Sequence, residues 1–382
     1  MRRLSSQNEM LRQMVRRLAE EKVKPQAAEI DKQDIYPWDW WELFARQGLV
    51  GLSVPSQYGG EGNLISFCLT VEELSRVSGT AGLMINSQQL ALTPLLLFGT
   101  REQKEMFLRP MASGQAIGGF ALTEPEAGSD AGAIQTRAIR RGDQYIINGQ
   151  KCLITNGGLA QYYIVFASTD LASGIRGITA FVVEADTPGL VVGRVEDKMG
   201  VRGLPTAELF FENCRVPCFH RIGQEGDGFK IAMTSLDRVR PGIGAQAVGI
   251  AQGAFEYALD YVKRRKQFNQ PLATLQGIQF ILADMVTQIE AARQLVYTAA
   301  EILEEALQQR NLSKEAIRYS SMAKLFASDV GMRVTTDAVQ LLGGYGYLRE
   351  HPVERMMRDA KIIQIYGGTN QIQKMIIARS VL

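Results

Sequence analysis

Cysteine is scarce: only Cys68, Cys152, Cys214 and Cys218 occur, scattered over 382 positions. They are too few and too dispersed for a disulfide framework, which places the chain most simply in the cytoplasm. A dominant charge of one sign is also missing. The 42 basic side chains face 40 acidic ones, the net charge is +2, and no block of like charge stands out. Neither nucleic acid nor an anionic membrane is therefore expected as the main partner. The start, Met1-Arg-Arg-Leu-Ser-Ser-Gln-Asn-Glu9, has basic residues but no apolar stretch behind them, so no signal peptide is expected. No apolar run approaches the length of a membrane span. No low-complexity tract is evident, nor any repeat with a period of about 20 to 50 residues. There is no Walker-type Gly-Lys-Ser/Thr, and no dinucleotide fingerprint in its strand-to-helix context.

Hydrophobic residues (46%) and charged residues (21%) are at ordinary globular levels, and the length allows two or three domains or one large α-rich assembly. Leu11, Met14, Val15 and Leu18 recur at helical spacing. Leu69 to Val77 and Gln88 to Phe98 read as further helices, the second interrupted at Pro94, and Tyr58-Gly-Gly-Glu-Gly62 reads as a loop. The Tyr36-Pro-Trp-Asp-Trp-Trp41 cluster suits a core better than a ligand box. After Gly114 the pattern changes. Tyr145 to Ile147, Tyr162 to Ala167, Ile178 to Val183, Leu190 to Val195 and Ala207 to Phe211 are short β-branched or aromatic runs, with turn pairs Asn148-Gly149 and Asn156-Gly157 between them. That spacing predicts a small antiparallel β domain. From Gly228 the helical period returns. Ile278, Ile281, Leu282, Met285, Ile289, Ala292, Leu295 and Val296 form one long amphipathic face that needs a bundle or a subunit interface to cover it. The order is α, then β, then α.

Ala121-Leu-Thr-Glu-Pro-Glu-Ala-Gly-Ser-Asp130 is a dense turn sequence whose Thr123, Ser129 and backbone N–H groups can bind a polar ring edge or a phosphate. A linking loop with internal Asx and Ser/Thr turns is the plainer reading of those residues alone. Gly343-Gly-Tyr-Gly346 and Gly223-Gln-Glu-Gly-Asp-Gly228 are weak signals in isolation. Cys214-Arg-Val-Pro-Cys218-Phe-His220 invites a metal reading but has no fourth ligand nearby, so structural thiols are expected. His351, before Pro352, reads as a solvent-facing loop residue.

Several motifs arrive together and in order over almost the whole chain. They are Leu122-Thr-Glu-Pro-Glu-Ala-Gly-Ser-Asp130, Asn148-Gly-Gln-Lys-Cys-Leu-Ile-Thr-Asn-Gly157, Lys198-Met-Gly-Val-Arg202, Arg264-Arg-Lys-Gln-Phe268, Gln340-Leu-Leu-Gly-Gly344 and Ile365-Tyr-Gly-Gly-Thr369. As a set they resemble the acyl-CoA dehydrogenase family. The resemblance implies an α+β fold: an N-terminal helical domain (1–117), a central antiparallel β domain (118–222) and a C-terminal four-helix domain (223–382). It implies FAD between the β domain and the C-terminal helices, an acyl-CoA substrate, an electron-transfer flavoprotein as redox partner, and a homotetramer built as a dimer of dimers. By the same resemblance, Phe120, Leu122, Thr123, Ser129 and Thr155 contact the flavin, with Ser129 also touching substrate. Leu153 stands where the family often has an aromatic residue against the ring. Arg265, Gln267 and Phe268, and the run Gln340, Gly343, Gly344, match positions that reach a neighbouring subunit's flavin. Thr369, Asn370 and Gln371 match the pyrophosphate-binding start of the last helix, where free N–H groups favour an anion. Asp237, Val239, Arg240 and Gly368 fall on the substrate side. Arg240 also reads simply as an ordinary ion-pair residue.

One expected residue is missing. In most of the family the residue after the tyrosine of the last signature is the glutamate that removes the substrate α-proton, and here it is Gly367. The Gly367 N–H can still polarise the thioester oxygen. Some members move the glutamate into an Asp-x-Glu-Arg arrangement, where this chain has Val239 within Asp237-Arg-Val-Arg240. Both customary places are empty. Losing a positioned general base typically costs about 10²- to 10⁴-fold in rate. Three explanations stand. Another group removes a proton elsewhere on a cyclic or already unsaturated acyl group; the substrate carries a leaving group such as a β-sulfinate; or the protein is a silent flavin or acyl-CoA binder. The segment Leu83 to Thr93, with Asn86, Ser87, Gln88 and Gln89, supplies no acid. Asp237 and Tyr366 are common family residues in other roles, so the base itself stays unassigned.

Overall fold

The computed structural model describes residues 4–60, 63–308 and 312–382. Its elements follow the expected order of helices, sheet, then helices. The first group comprises α1 (Ser6–Leu18), α2 (Ala27–Gln33), α3 (Trp38–Arg46), α4 (Leu64–Ser75) and α5 (Gly79–Phe98), then the short α6 (Arg101–Gln103) and α7 (Arg109–Ala112). Ser5, Asn63 and Ser78 start α1, α4 and α5 by accepting from first-turn N–H groups that have no partner within the helix. Trp40 and Trp41 lie in the core as expected, while Trp38 is half exposed. Of the predicted loop at 58–62, residues 61 and 62 lie outside the described residues.

Helix α5 corrects two expectations. It runs unbroken through Pro94; the lost N–H is tolerated because burial on nearly every side holds the helix. It is also long and apolar enough by composition to cross a membrane, although no run of that length was expected. In the fold, 72% of that window is buried, as suits the central helix of a core.

The sheet holds β1 (Gly118–Ala121), β2 (Arg137–Arg141), β3 (Gln144–Thr155), β4 (Tyr162–Ser168), β5 (Ile178–Glu184), β6 (Leu190–Val195), β7 (Thr206–Pro217) and β8 (Arg221–Ile222). Strand order is β6-β7-β3-β2-β4-β5-β8, with β1 alongside β4. Most pairs are antiparallel; β1 and β2 each pair with β4 in parallel. The predicted turn at Asn148-Gly149 is instead a register shift inside β3. Gly149 is needed there because a Cβ would stand 2.5 Å from Thr136 Oγ1. Asn156-Gly157 does form the turn that ends β3.

The remaining helices are α8 (Gly228–Arg264), α9 (Gln276–Gln308), α10 (Lys314–Leu342), α11 (Pro352–Ile363) and α12 (Asn370–Val381). The apolar stripe of α9 buries Met285, Ile289, Ala292 and Val296. Helix α8 approaches α4 at glycine: a Cβ on Gly249 would meet Glu72 O at 2.2 Å, and one on Gly253 would meet Arg76 O at 1.9 Å. That contact anchors the C-terminal helices to the N-terminal group, and Asn86 Nδ2, donating to Gly242 O at 3.2 Å, ties the first half of α8 to α5. His351 is not a free loop residue. Its Nδ1 pairs with the Tyr257 hydroxyl at 2.7 Å, and its ring packs against Tyr345 and Tyr261, because the chain folds back there to begin α11.

Candidate active site

Between the sheet and the C-terminal helices lies a cleft made of two joined cavities, of about 240 and 540 Å³. Thr123, Ser129, Leu153, Thr155, Tyr366 and Gly368 line both. Leu83 of α5 also lines both, and the first cavity adds Asn86, Ser87 and Leu90 from α5, Phe120 and Leu122 from β1 and its following loop, and Met233, Leu236, Val239, Arg240 and Ile243 from α8. The second runs toward Lys198, Arg358, Lys361 and Thr369.

Each wall has a local cause. The 122–130 loop is pinned to β3 by Lys151, whose Nζ donates to Leu122 O at 3.0 Å and to Glu124 Oε1 at 2.7 Å. Glu124 also accepts from the Gln135 and Thr136 N–H groups. Burial pulls the Lys151 ammonium down to about 8. Burial pushes the Glu124 carboxyl up, but Lys151 and these hydrogen bonds outweigh it and hold it below the usual range. Leu153 sits at an irregularity of β3 with φ +57° and is 61% exposed, so it projects from the strand into the cleft.

The opposite wall is the turn Tyr366 to Thr369 between α11 and α12. Gly367 (φ +66°) and Gly368 (φ +90°) are both left-handed. The carbonyl of Gly367 accepts from Arg240 Nε and Gln373 Nε2, both at 3.2 Å. That of Gly368 accepts from Lys324 Nζ at 2.8 Å and Gln373 Nε2 at 3.0 Å. Trans peptides carry N–H opposite C=O, so tying these carbonyls back turns the N–H groups of Gly368 and Thr369 the other way. Among the described residues, the N–H groups of Gly367, Gly368, Thr369 and Gln371 donate to no protein group. Tyr366 donates its hydroxyl to Gln246 Oε1, and Gln246 Nε2 donates to Gly79 O, tying the turn to α8 and α5.

Not every expected residue reaches the cleft. Asp237 does not line it; it pairs with Arg240, while burial raises its carboxyl. Asn370 is buried beneath the turn, where its Oδ1 accepts from Lys324 at 2.8 Å, so it supports the α12 start rather than facing the cleft. Gln371 is exposed and lines neither cavity. Of the α5 residues considered as base, Asn86 and Ser87 line the cavity. Gln88 is committed to the backbone of Met111, Ala116 and Gly118. A third cavity, of about 670 Å³, brings Arg265 and Gln267 together with Gln340, Gly343 and Gly344. Phe268 is left outside it and 85% exposed. Cys214 is buried in the sheet core and His220 Nδ1 contacts Val182 O at 3.2 Å. No three-ligand metal cluster occurs among the described residues. Sequence reasoning missed Lys324 and Gln246, whose contacts are made across the fold, Gln373, which reaches back only five and six residues to Gly368 and Gly367, and also the apolar lining from Met233, Leu236 and Ile243.

Three family models match in series: the acyl-CoA dehydrogenase N-terminal domain over residues 5–115, its middle domain over 119–214 and its C-terminal domain over 226–382. The chain belongs to the acyl-CoA dehydrogenase family. The cyclohex-1-ene-1-carbonyl-CoA dehydrogenase of Geobacter metallireducens is 47% identical, with each chain covered in full. Butyryl-CoA dehydrogenase from Megasphaera elsdenii superposes with TM-score 0.95 at 44% identity, over 99% of both chains. A chain from the structure of the electron transferring flavoprotein of Acidaminococcus fermentans gives TM-score 0.96 at 46% identity, over 100% of this chain and 99% of that one. This dehydrogenase is accordingly an FAD-dependent oxidoreductase acting on acyl-CoA. The residues present fit the cofactor: a long cleft, apolar on its flat walls, ends at a helix start with unsatisfied N–H groups.

Proposed function

We propose that this acyl-CoA dehydrogenase acts on a cyclic or already unsaturated acyl-CoA and uses a proton acceptor that neither customary position supplies. The observation that carries this reading is the lining of the first cavity. Among the described residues it contains no aspartate, glutamate, lysine or histidine, and Arg240 is its only charged side chain. A straight saturated thioester needs a base at its α-carbon, whereas ring or allylic C–H bonds give other sites for proton loss. The Geobacter relative, named for a cyclohexenyl thioester, is similar over its whole length.

Bound FAD supplies the hydride acceptor. Phe120, Leu122, Thr123, Ser129, Leu153 and Thr155 form the wall assigned to the flavin. Gly367 offers its free N–H to the thioester oxygen, with the turn behind it held by Arg240, Lys324 and Gln373. Such preorganised donors lower the cost of charge on that oxygen because they need not reorient. Arg265, Gln267, Gln340, Gly343 and Gly344 are assigned to the cofactor of a second subunit in a dimer of dimers; their gathering in a separate cavity supports this. Electrons are assigned to an electron-transfer flavoprotein, consistent with the Acidaminococcus similarity. The domain divisions proposed are 117/118 and 222/223.

The test is an anaerobic titration of the purified flavoprotein with butyryl-CoA, octanoyl-CoA and cyclohexene-carbonyl-CoA, following flavin absorbance. Bleaching by the cyclic thioester and not by the linear ones is the expected result. Equal bleaching by butyryl-CoA defeats the proposal, and no bleaching by any thioester points to elimination chemistry or a binding protein.

A further inference from the structure

The guanidinium of Arg240 is only partly used. It is 2% exposed, its Nε donates to Gly367 O, and its Nη1 pairs with Asp237. Its Nη2 has no protein partner among the described residues and is not among the sealed, unsatisfied atoms, so it opens into the cavity that Arg240 lines. The point where a Cβ on Gly368 would stand is 3.8 Å from this nitrogen. One helical turn on, Ile243 lines the same cavity with its Cδ1 2.5 Å from where a Cβ at position 367 would stand, and Val239 leaves the other customary place without a carboxylate. Lys324 lies beneath the same turn, its Nζ already donating to Gly368 O and Asn370 Oδ1, both at 2.8 Å. The nearby acids are already engaged: Asp237 with Arg240, and Asp329 with Gln364 and Asn370.

We infer that the recess between Gly367, Val239, Ile243 and Arg240 binds a carboxylate that does not belong to the protein and serves as the missing proton acceptor. This rests on the acyl-CoA reading above. An arginine with a free Nη2 suits a carboxylate oxygen better than a neutral group, because the hydrogen bond is charge-assisted. In the step itself, a carboxylate oxygen forms an O–H bond as a C–H bond acidified by the thioester breaks, the Cα–H bond of a saturated acyl group or the allylic Cγ–H bond of a 2-enoyl one. The electron pair moves into the thioester as an enolate, whose oxygen faces the Gly367 N–H. One carboxylic acid and one enolate result, and reversal in D2O places deuterium at Cα of a saturated acyl group. The carboxylate is either free in solution or carried by the acyl group.

The experiment uses the FAD-loaded protein in D2O, after flavin spectral perturbation has verified thioester binding. Deuterium incorporation at C2 is measured for butyryl-CoA and cyclohexanecarbonyl-CoA with sodium formate, against sodium chloride at equal ionic strength, and for succinyl-CoA with chloride alone. A saturable increase of about 10-fold or more with formate, within the range of a positioned base, supports a free anion. Fast exchange of succinyl-CoA without formate assigns the carboxylate to the acyl group. Line broadening of ¹³C-formate gives a second readout, expected with wild type and lost in Arg240→Met and in Gly367→Glu, which fills the recess. Thioester binding with neither a formate response nor succinyl exchange overturns the inference alone. No flavin perturbation by any thioester overturns the parent reading with it.

Discussion

Replacing Gly367 by glutamate restores the family's carboxylate at a position whose backbone is unkind to it. At φ +66° a non-glycine residue costs about 1–2 kcal/mol. A Cβ there would stand 2.5 Å from Ile243 Cδ1. That atom is the end of a flexible side chain, so it yields by an off-rotamer shift of about 0.5–1.5 kcal/mol. Gly367→Glu is therefore expected to fold, bind FAD and lose roughly 2–3 kcal/mol of stability. Ile243→Val removes Cδ1 and alone costs about 0.5–1.5 kcal/mol. In the double variant that cost is largely recovered, because the two sites share one contact and their effects do not add. The gain in chemistry is the worth of a placed general base, about 10²- to 10⁴-fold in the rate of flavin bleaching by butyryl-CoA. Stopped-flow absorbance under anaerobic conditions reads the rate, and urea unfolding reads the stability. A variant that binds FAD and butyryl-CoA yet bleaches no faster than wild type would refute the argument that only the carboxylate is missing.

Three further outcomes follow from the same geometry. Lys151→Met strands the buried Glu124 carboxylate and unpins the 122–130 loop, at a cost of about 3–5 kcal/mol, read as a lowered unfolding midpoint with loss of bound flavin. Burial, with Arg240 adding to it, pulls the Lys324 ammonium down to about 7. Between that value and the unfolded value near 10.4, the unfolded chain holds a proton that the folded chain has released, so this group makes stability rise with pH by about 1.4 kcal/mol per unit. Lys324→Met is expected to lose that slope between pH 7.5 and 9.5 in urea titrations; parallel curves would contradict it. Arg265→Ala, in the separate cavity, is expected to weaken FAD retention while leaving the monomer's unfolding midpoint in the cofactor-free protein within about 0.5 kcal/mol of wild type, as for a surface change.

Much of this enzyme was legible before folding was considered. The order of helices, sheet and helices was visible because side-chain period is a local property: Leu11 to Leu18 and Ile278 to Val296 repeat at helical spacing, and the runs at 162–167 and 178–183 do not. Local readings failed where a long-range contact overrides local chemistry. Pro94 continues a helix because burial holds it, Asn148-Gly149 is a strand irregularity because Thr136 lies against it, and His351 is packed because Tyr257, Tyr261 and Tyr345 converge on it. The sequence alone determined the family and the absence of glutamate at 239 and 367, since both are matters of residue identity at fixed spacing. Only the tertiary structure decided what surrounds that absence. Arg240, Lys324 and Gln373, drawn from three different helices, converge on the Gly367–Gly368 turn and leave Arg240, among the described residues, the one charged group lining the first cavity. Gln373 reaches the turn from a few residues on, but Arg240 and Lys324 reach it only because α8 and α10 cross beside it, and distance along the chain does not encode that crossing.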